Sequence, residues 1–388
     1  MIELLAPAGD LEKLKIAYIY GADACFIGGK EFSLRSRASN FSLEDIKEGA
    51  SFAHQMGRKL YVTTNIIPHE KDLTGLKEYL LCLEEAKVDA IITASDAIMK
   101  IARKYTNLEI HVSTQNSITN SYAANYYYDN GAKRVVLARE LSIDEIKELR
   151  RKTRAQIEVF IHGGMCMSYS GRCSLSNNMT DRDANRGGCA HSCRWNYYLS
   201  DKDKVNFSLS SKDLMAVSMI KDLMDAKVDS LKIEGRMKSL HYIATVTKVY
   251  RMVIDEYSKN GEIKDISKYK NEILKAENRL TYHGYLSGIP NSSGGLYNER
   301  SEQPIKNFIG IVIDYDEEKE IVTIEQRNHF KPFEKIEFFM PNEDNIIFDL
   351  KEIYDENMSE LDAARHPKQI IKFKVPFKPE KYSFIRRV

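Results

Sequence analysis

Four cysteines, Cys166, Cys173, Cys189 and Cys193, fall within one stretch, EVFIHGGMCMSYSGRCSLSNNMTDRDANRGGCAHSCR, from Glu158 to Arg194. The chain has six in all, so this clustering needs a chemical reason. The stretch is polar and Gly-rich, holds His162 and His191, and shows almost no apolar periodicity. Thiolates gathered by such a loop are what a soft metal ion or an iron–sulfur cluster requires. The spacing is C-x6-C-x15-C-x3-C. Structural zinc sites pair cysteines two to four residues apart, which only Cys189 and Cys193 satisfy. The wide first gap suits a cluster, whose larger core tolerates irregular loops, although neither common ferredoxin spacing is present. Cluster, zinc and buried free thiols all remain open. A cysteine nucleophile is a further reading, and it needs a base in contact and a group orienting that base. His162 precedes Cys166 by four residues and His191 lies between Cys189 and Cys193, but the sequence singles out no pair. No second histidine follows His69-Glu70 at zincin spacing, and no G-x-S-x-G occurs.

The loop must be held by the elements around it. Through residue 240, short β-branched runs alternate with amphipathic helical patterns. Candidate strands are Glu3–Leu5, Ala24–Ile27, Leu60–Thr63, Ala90–Thr93, Glu109–Val112, Arg134–Leu137, Ile157–Ile161 and Ser230–Ile233. Helical patterns include Leu43–Gln55, Leu76–Ala86 and Ile143–Arg151, with Asp10 and Ser42 as N-caps. One junction recurs between helix and strand: Gly21-Ala22-Asp23, Lys87-Val88-Asp89, Gly131-Ala132-Lys133 and Lys227-Val228-Asp229. Repeated strand–helix units need a parallel sheet. Eight strands, without a Gly-rich dinucleotide fingerprint after the first, predict a (β/α)8-like, TIM-type barrel. A hairpin-like segment, Tyr197–Leu209, before a helix at Met215–Ala226 predicts that the barrel is distorted. Two more helices follow, at His241–Tyr257 and Ile266–Asn278, then a Gly/Ser/Asn-rich linker. Beyond Phe308 short alternating strands and charged turns predict a small antiparallel β-barrel. The expected domains are a barrel over 1–240 carrying the cysteine loop at 162–194, a helical segment and linker over 241–300, and the β domain over 301–388.

In such a barrel chemistry sits at the C-terminal strand ends. The residues there are Arg35, Arg37 and Asn40 after the second strand, Asn65 after the third, Gln115 after the fifth, Arg139 and Glu140 after the sixth, and Glu234 and Arg236 after the last. His111 lies inside the fifth strand and His162 leads out of the seventh. His111, His162, Glu140 and Glu234 are the candidate acid–base groups. Arginines from three strand ends converging on one mouth suit an anionic ligand whose carboxylates accept forked hydrogen bonds. The plainer alternative is that each only pairs with Glu140 or Glu234.

The bulk numbers bound the rest. A chain of 388 residues with 43% apolar and 29% charged residues is an ordinary globular composition, and a net charge of +1 advertises no overall basic field. The N-terminus acquires charges too soon for a signal peptide and no apolar run reaches spanning length. The cytoplasm is the expected compartment, where clustered thiols read as ligands before disulfides. Cys25 and Cys82 sit in apolar contexts as packing residues.

The residues around the cysteines resemble a known family. Glu158-x-Phe160-x-x-Gly163-Gly164-Met165-Cys166, then Gly171-x-Cys173-x-Leu175-Ser176, resembles the signature of the collagenase-like peptidases, peptidase family U32. LLAPAGDLEKLKIAYIYGADACFIGG, FSLRSRASNF, HVSTQ, SLKIEGRMKS and the junction at Asn278-Arg279 agree with it, so the resemblance covers nearly the whole chain. Gly164 departs from the family's Ser or Ala, and His283 stands where the family tends to have Thr. Despite the name, the better-understood branches are iron–sulfur proteins that hydroxylate RNA bases or quinone precursors without molecular oxygen. The resemblance is strongest to the branch that forms 5-hydroxyuridine at the tRNA wobble position and depends on prephenate. It implies a 4Fe–4S cluster on Cys166, Cys173, Cys189 and Cys193, and a mouth that takes prephenate or a similar small dicarboxylate. It also implies tRNA as partner and no membrane. Lys368, Lys372, Lys374, Lys378, Lys381, Arg386 and Arg387 of the β domain would grip phosphates, or else form a solvated basic tail. The competing functions are a cysteine- or metal-dependent peptidase, an rRNA cytidine hydroxylase, and a zinc-stabilised RNA-binding module. Oligomeric state and electron source stay open.

Overall fold

The computed structural model describes residues 2–33, 40–200, 206–276, 279–296 and 307–388. Strands and helices alternate from the start: β1 (Glu3–Pro7), α1 (Leu11–Ile19), β2 (Ala24–Gly28), α2 (Leu43–Gln55), β3 (Lys59–Thr64), α3 (Leu76–Glu85), β4 (Ala90–Thr93), α4 (Asp96–Tyr105), β5 (Glu109–Val112), α5 (Ser121–Asp129), β6 (Arg134–Val136), α6 (Ile143–Lys152) and β7 (Gln156–Gly163). After the cysteine loop, which contains α7 (Leu175–Thr180), come β8 (Asp213–Met215), α8 (Ile220–Asp225), β9 (Ser230–Ile233), α9 (Leu240–Asn260), α10 (Ile266–Leu274) and β10 (Thr281–Tyr282). Local signals start the helices where expected. The Asp10 carboxylate accepts from Lys13 N, and Ser42 and Asp45 close a reciprocal capping box.

The recurring helix–strand junction has one physical basis. Gly21, Lys87, Gly131 and Lys227 all adopt positive φ, at 102°, 59°, 94° and 56°, the left-handed turn that ends a helix. Three junctions then place an aspartate whose carboxylate accepts a backbone N–H at the start of the adjacent strand. Asp23 accepts from Leu4 at 2.9 Å, Asp89 from Leu60 at 2.8 Å and Asp229 from Ile157 at 2.9 Å. These bonds satisfy donors at the barrel floor and fix strand register together.

The strands β1 to β7 run parallel in sequence order, and β9 closes the ring between β7 and β1 with Ser230 opposite both Glu158 and Glu3. Eight parallel strands therefore form the barrel. Strand β8 stands outside it, antiparallel to the end of β7 with Gly163 opposite Leu214, and carries β10. The helix expected over Met215–Ala226 starts later, because Asp213–Met215 is extended and a 3-10 turn at Val217–Met219 precedes α8. The hairpin-like segment is present as an antiparallel bridge between Tyr197 and Phe207. Helix α9 packs against α1, α8 and β1.

The lower half of the barrel interior is charged. Glu158, fully buried, lies 2.7 Å from Lys232 Nζ and 3.2 Å from Arg134 Nη1, and Arg134 also bonds Glu3. Burial alone pushes the Glu158 carboxyl up, but Lys232 and Arg134 outweigh it and hold it below the carboxylate range.

The second unit comprises residues 273–278 and 304–388. Its eight strands, β11 (Phe308–Asp316), β12 (Ile321–Gln326), β13 (Lys335–Phe339), β14 (Ile346–Asp349), β15 (Ile353–Tyr354), β16 (Glu360–Leu361), β17 (Ile370–Lys374) and β18 (Phe384–Arg387), form one antiparallel sheet ordered 14-13-18-11-12-17-15-16. It curls as a half-barrel over a core that includes Ile309, Val322, Phe338 and Phe373. No described helix is long and apolar enough to cross a membrane.

Candidate functional site

The cysteine loop is seated on the C-terminal end of the barrel by bonds to three strand ends. Arg139, after β6, donates from Nη1 to the Gly164 carbonyl at 2.7 Å. Ser117, after β5, donates to the Ser170 carbonyl at 3.2 Å and receives Arg172 Nε at 3.1 Å. Arg186 pairs with Asp72, after β3, at 2.7 Å. Two glycines make the seat possible. A Cβ on Gly163 (φ 102°) would stand 2.3 Å from the Glu234 carbonyl oxygen, and one on Gly171 (φ 77°) 2.6 Å from that of Gln115. Small polar side chains tie the loop to itself: Ser176 accepts from Ala190 N, Asn177 from Ala184 N, and Asn185 donates to the Cys173 carbonyl. Hydrogen bonding replaces an apolar core there, which is why the stretch has no hydrophobic period.

Cys166 and Cys189 are exposed, Cys173 and Cys193 partly buried. Burial pushes the Cys193 thiol up; Arg194 opposes this, while Cys189, Cys166 and Cys173 are near enough to add to it. The four thiols are thus one electrostatic group. Among the described residues no three or more His, Cys, Asp or Glu side chains are arranged to hold a metal ion. Four thiols are the donor type that an iron–sulfur cluster and zinc both take.

The mouth beside this loop holds the other polar residues. Arg236, 3% exposed, crosses to the β2 side, where Nη2 donates to Asn40 Oδ1 at 2.6 Å and Nη1 to Ser33 Oγ at 3.2 Å. It passes so close to Gly28 that a Cβ there would lie 2.2 Å from Nη2. Asn65 donates to Gln115 Oε1 at 2.7 Å, and Ser113 Oγ donates to the same oxygen at 3.1 Å. Arg139 stacks 4.5 Å over the Phe160 ring, forms no ion pair among the described residues, and keeps Nε buried without a partner, as Thr64 does its hydroxyl. Glu140 beside it is half-buried, and burial raises its carboxyl pKa above the ordinary value against the opposing pull of its own backbone N–H, the Arg139 charge and the Arg139 backbone N–H. Tyr285 reaches the same place through the Leu286 carbonyl, which accepts Ile143 N at 3.0 Å. Burial raises the Tyr285 phenol pKa, and Glu140 and Tyr169 push it further.

Two candidate acid–base groups lie elsewhere. His111 points into the barrel toward its floor, with Nε2 2.8 Å from Glu109 Oε1 and its ring edge-on to Tyr61 at 4.7 Å. Residues two apart on a strand share a face, and Glu109 opens β5 at the end opposite the mouth. His162 faces the outer helix α9, 3.1 Å from the Tyr250 hydroxyl and against the Tyr242 ring. Glu234 is at the mouth, its carbonyl accepting from Tyr242. Arg35 and Arg37 lie outside the described residues. Sequence reasoning missed Asp213, a fully buried carboxylate on β8 with Lys238 Nζ at 3.4 Å and Arg279 Nη1 at 3.5 Å. A three-residue strand in a Ser-rich stretch gave no signal for it.

The basic residues of the β domain are mostly engaged internally. Arg386 is buried, paired with Glu337 at 2.6 Å and stacked on Phe339; Arg387 pairs with Glu334, Lys378 with Glu317, and Lys372 donates to the Glu356 carbonyl. Burial removes Arg386 from any phosphate-binding set, whereas Lys378, although paired, keeps its side chain 69% exposed.

Residues 9–294 match Peptidase family U32, and residues 306–386 match the Peptidase family U32 C-terminal domain. The chain belongs to peptidase family U32. Within the family it is 48% identical over 386 residues to a tRNA hydroxylation protein P1 of Bacillus subtilis, covering 96% of this chain and 92% of that one. It is 39% identical over 290 residues to a 23S rRNA 5-hydroxycytidine synthase of Escherichia coli, covering 74% of this chain and 43% of that one. It is 33% identical over 307 residues to a collagenase of Porphyromonas gingivalis, covering 74% and 73%. The family's departure at Gly164 is sterically open, since a Cβ would meet only Arg194 Nη2 at 3.6 Å and Asp213 Oδ1 at 3.9 Å. His283 stacks on Tyr282.

Proposed function

We propose that this chain is an RNA-modifying hydroxylase of the iron–sulfur type. Its substrate is a tRNA uridine, converted to 5-hydroxyuridine at the wobble position, with prephenate or a similar small dicarboxylate as co-substrate. The observation that carries this reading is the pair at the end of β6. Arg139, which forms no ion pair among the described residues, and Glu140, a half-buried carboxyl whose pKa burial raises, stand together where the four-thiol loop leaves the barrel. The near full-length relative named a tRNA hydroxylation protein supports the reaction class.

Cys166, Cys173, Cys189 and Cys193 would hold the cluster, which when bound supplies one-electron chemistry at the mouth. Arg139 binds a carboxylate of the co-substrate through its remaining donors while Nη1 holds the loop. Arg236, fixed by Ser33 and Asn40, keeps the opposite rim in place. The target base must leave its stack to enter, and Tyr169 and Tyr285 offer rings beside Glu140. Converting C5–H to C5–OH with water as the oxygen source is a two-electron oxidation that releases two protons and passes an electron pair to an external oxidant, and Glu140 is the group placed to take a proton. Against the peptidase reading, His162, the histidine four residues before Cys166, faces α9 and the Tyr250 hydroxyl.

The test is mass spectrometry of nucleosides from a deletion strain. The reading expects loss of 5-hydroxyuridine and its derivatives from tRNA, restored by the wild-type chain and not by Cys166→Ser. An unchanged tRNA profile with loss of 5-hydroxycytidine from rRNA would move the substrate to rRNA. Gelatin turnover that survives iron chelation would favour the peptidase, and one zinc without iron a structural module.

A further inference from the structure

In the β domain, Phe333 is 88% exposed. It occupies the turn Lys331-Pro332-Phe333-Glu334 with φ +65°. After Pro332, whose ring fixes φ near −65°, a positive φ is the type II arrangement, which calls for Gly or Asn. A bulky side chain there is a genuine outlier. The turn is held firmly in this shape. Phe333 N donates to the Leu350 carbonyl at 2.8 Å, Leu350 N to the Glu334 carbonyl at 3.0 Å, and Lys331 N to Glu334 Oε1 at 3.1 Å. Arg387 Nε anchors the same carboxylate at 2.7 Å.

Phe333 therefore costs stability twice, through backbone strain and through an apolar ring left in water, and packs no core in return. Strain kept in place by surrounding bonds points to a binding role. The local charge favours an anionic partner. Exposed Lys331 and Lys335 lie two residues either side of Phe333 and Lys351 follows Leu350; Arg387 neutralises Glu334, and Asp349, opposite Lys335, and Glu352 are the opposing carboxylates, which leaves one net positive charge.

We infer that Phe333 is a stacking platform for an unpaired nucleobase of RNA, with Lys331 and Lys335 set for the adjoining phosphates. This rests on the reading of the chain as acting on RNA. A flat ring beside cations accepts any base, because every base has a π-face, so the turn contributes affinity for single-stranded RNA without sequence preference.

The experiment compares the full-length chain with Phe333→Gly and Phe333→Trp, using an unmodified tRNA anticodon stem–loop as the probe. Phe333→Gly is expected to raise the melting temperature by a few degrees, since it relieves strain and exposure, and to weaken stem–loop binding about 10-fold. Phe333→Trp should retain affinity. A fall in melting temperature with Phe333→Gly would make the ring structural and overturn the inference. So would unchanged RNA affinity, or a change in self-association in its place. If wild type hydroxylates tRNA and Phe333→Gly does so with the same KM for RNA, this inference alone fails. If wild type neither binds nor modifies RNA, the functional reading fails with it.

Discussion

Arg139 donates to the Gly164 carbonyl at 2.7 Å, two residues before the first thiol of the loop, Cys166. One side chain thus joins the mouth of the barrel to the start of the thiol cluster. Arg139→Ala should raise the KM for the co-substrate about 10- to 100-fold, the worth of a charged hydrogen bond, and should lower cluster loading as well. Steady-state kinetics with co-substrate varied, beside iron analysis, would separate the two effects. An unchanged KM would remove Arg139 from the binding site.

Glu140 sets a pH dependence. Burial raises its carboxyl pKa, so the base form appears only as pH rises through a value above the usual carboxylate range. Activity should climb with pH across that limb, and Glu140→Gln should abolish turnover at every pH while leaving the fold intact. The native state favours the protonated acid, so this group weakens stability as it ionises. Glu140→Gln should therefore melt no lower than wild type at neutral pH. Rate–pH profiles and thermal melts of both proteins check this.

The buried Glu158 behaves oppositely. Its carboxyl pKa is lowered against the penalty of burial by Lys232 and Arg134. The stability it contributes is present above the unfolded carboxylate value, about 4.3, and is lost as pH falls through the folded one. Lys232→Met strands a charge in the barrel and should cost about 3–5 kcal/mol. Lys232→Met with Glu158→Gln should recover part of that. Urea unfolding of the three proteins measures it, and equal losses in the single and double variants would contradict the pairing.

Loop seating depends on Gly171 far more than on Gly164. Gly171→Ala drives a Cβ to 2.6 Å from the Gln115 carbonyl at a positive φ, whereas Gly164→Ser meets only ordinary contacts. Gly171→Ala should lose bound iron and Gly164→Ser should keep it. Iron content of the anaerobically purified variants decides.

The barrel was legible because its signals are local. β-branched runs and helix caps each act within a few residues of their own position, whereas the bonds of Asp23, Asp89 and Asp229 to the neighbouring strands span 19, 29 and 72 residues. Strand β8 was not legible, since three residues carry no period. The direction of a strand side chain was only half legible. A bulge between Phe160 and His162 in the pairing of β7 with β9 disturbs the alternation, and His162 ends against α9. His111 shares its face with Glu109, yet depth along a barrel axis is invisible to a pattern that reports only in or out. Charges at the end of the chain read as a basic run, while their partners Glu337, Glu334 and Glu317 lie about fifty residues or more away in sequence, beyond any local signal.

The most direct measurement is metal analysis of the protein purified without oxygen, together with its Cys→Ser variants at positions 166, 173, 189 and 193. A thiol loop built for a cluster predicts about four iron and four acid-labile sulfide per chain, with visible absorption that each variant loses. A colourless wild-type protein with intact thiols, or one holding a single zinc, would contradict it.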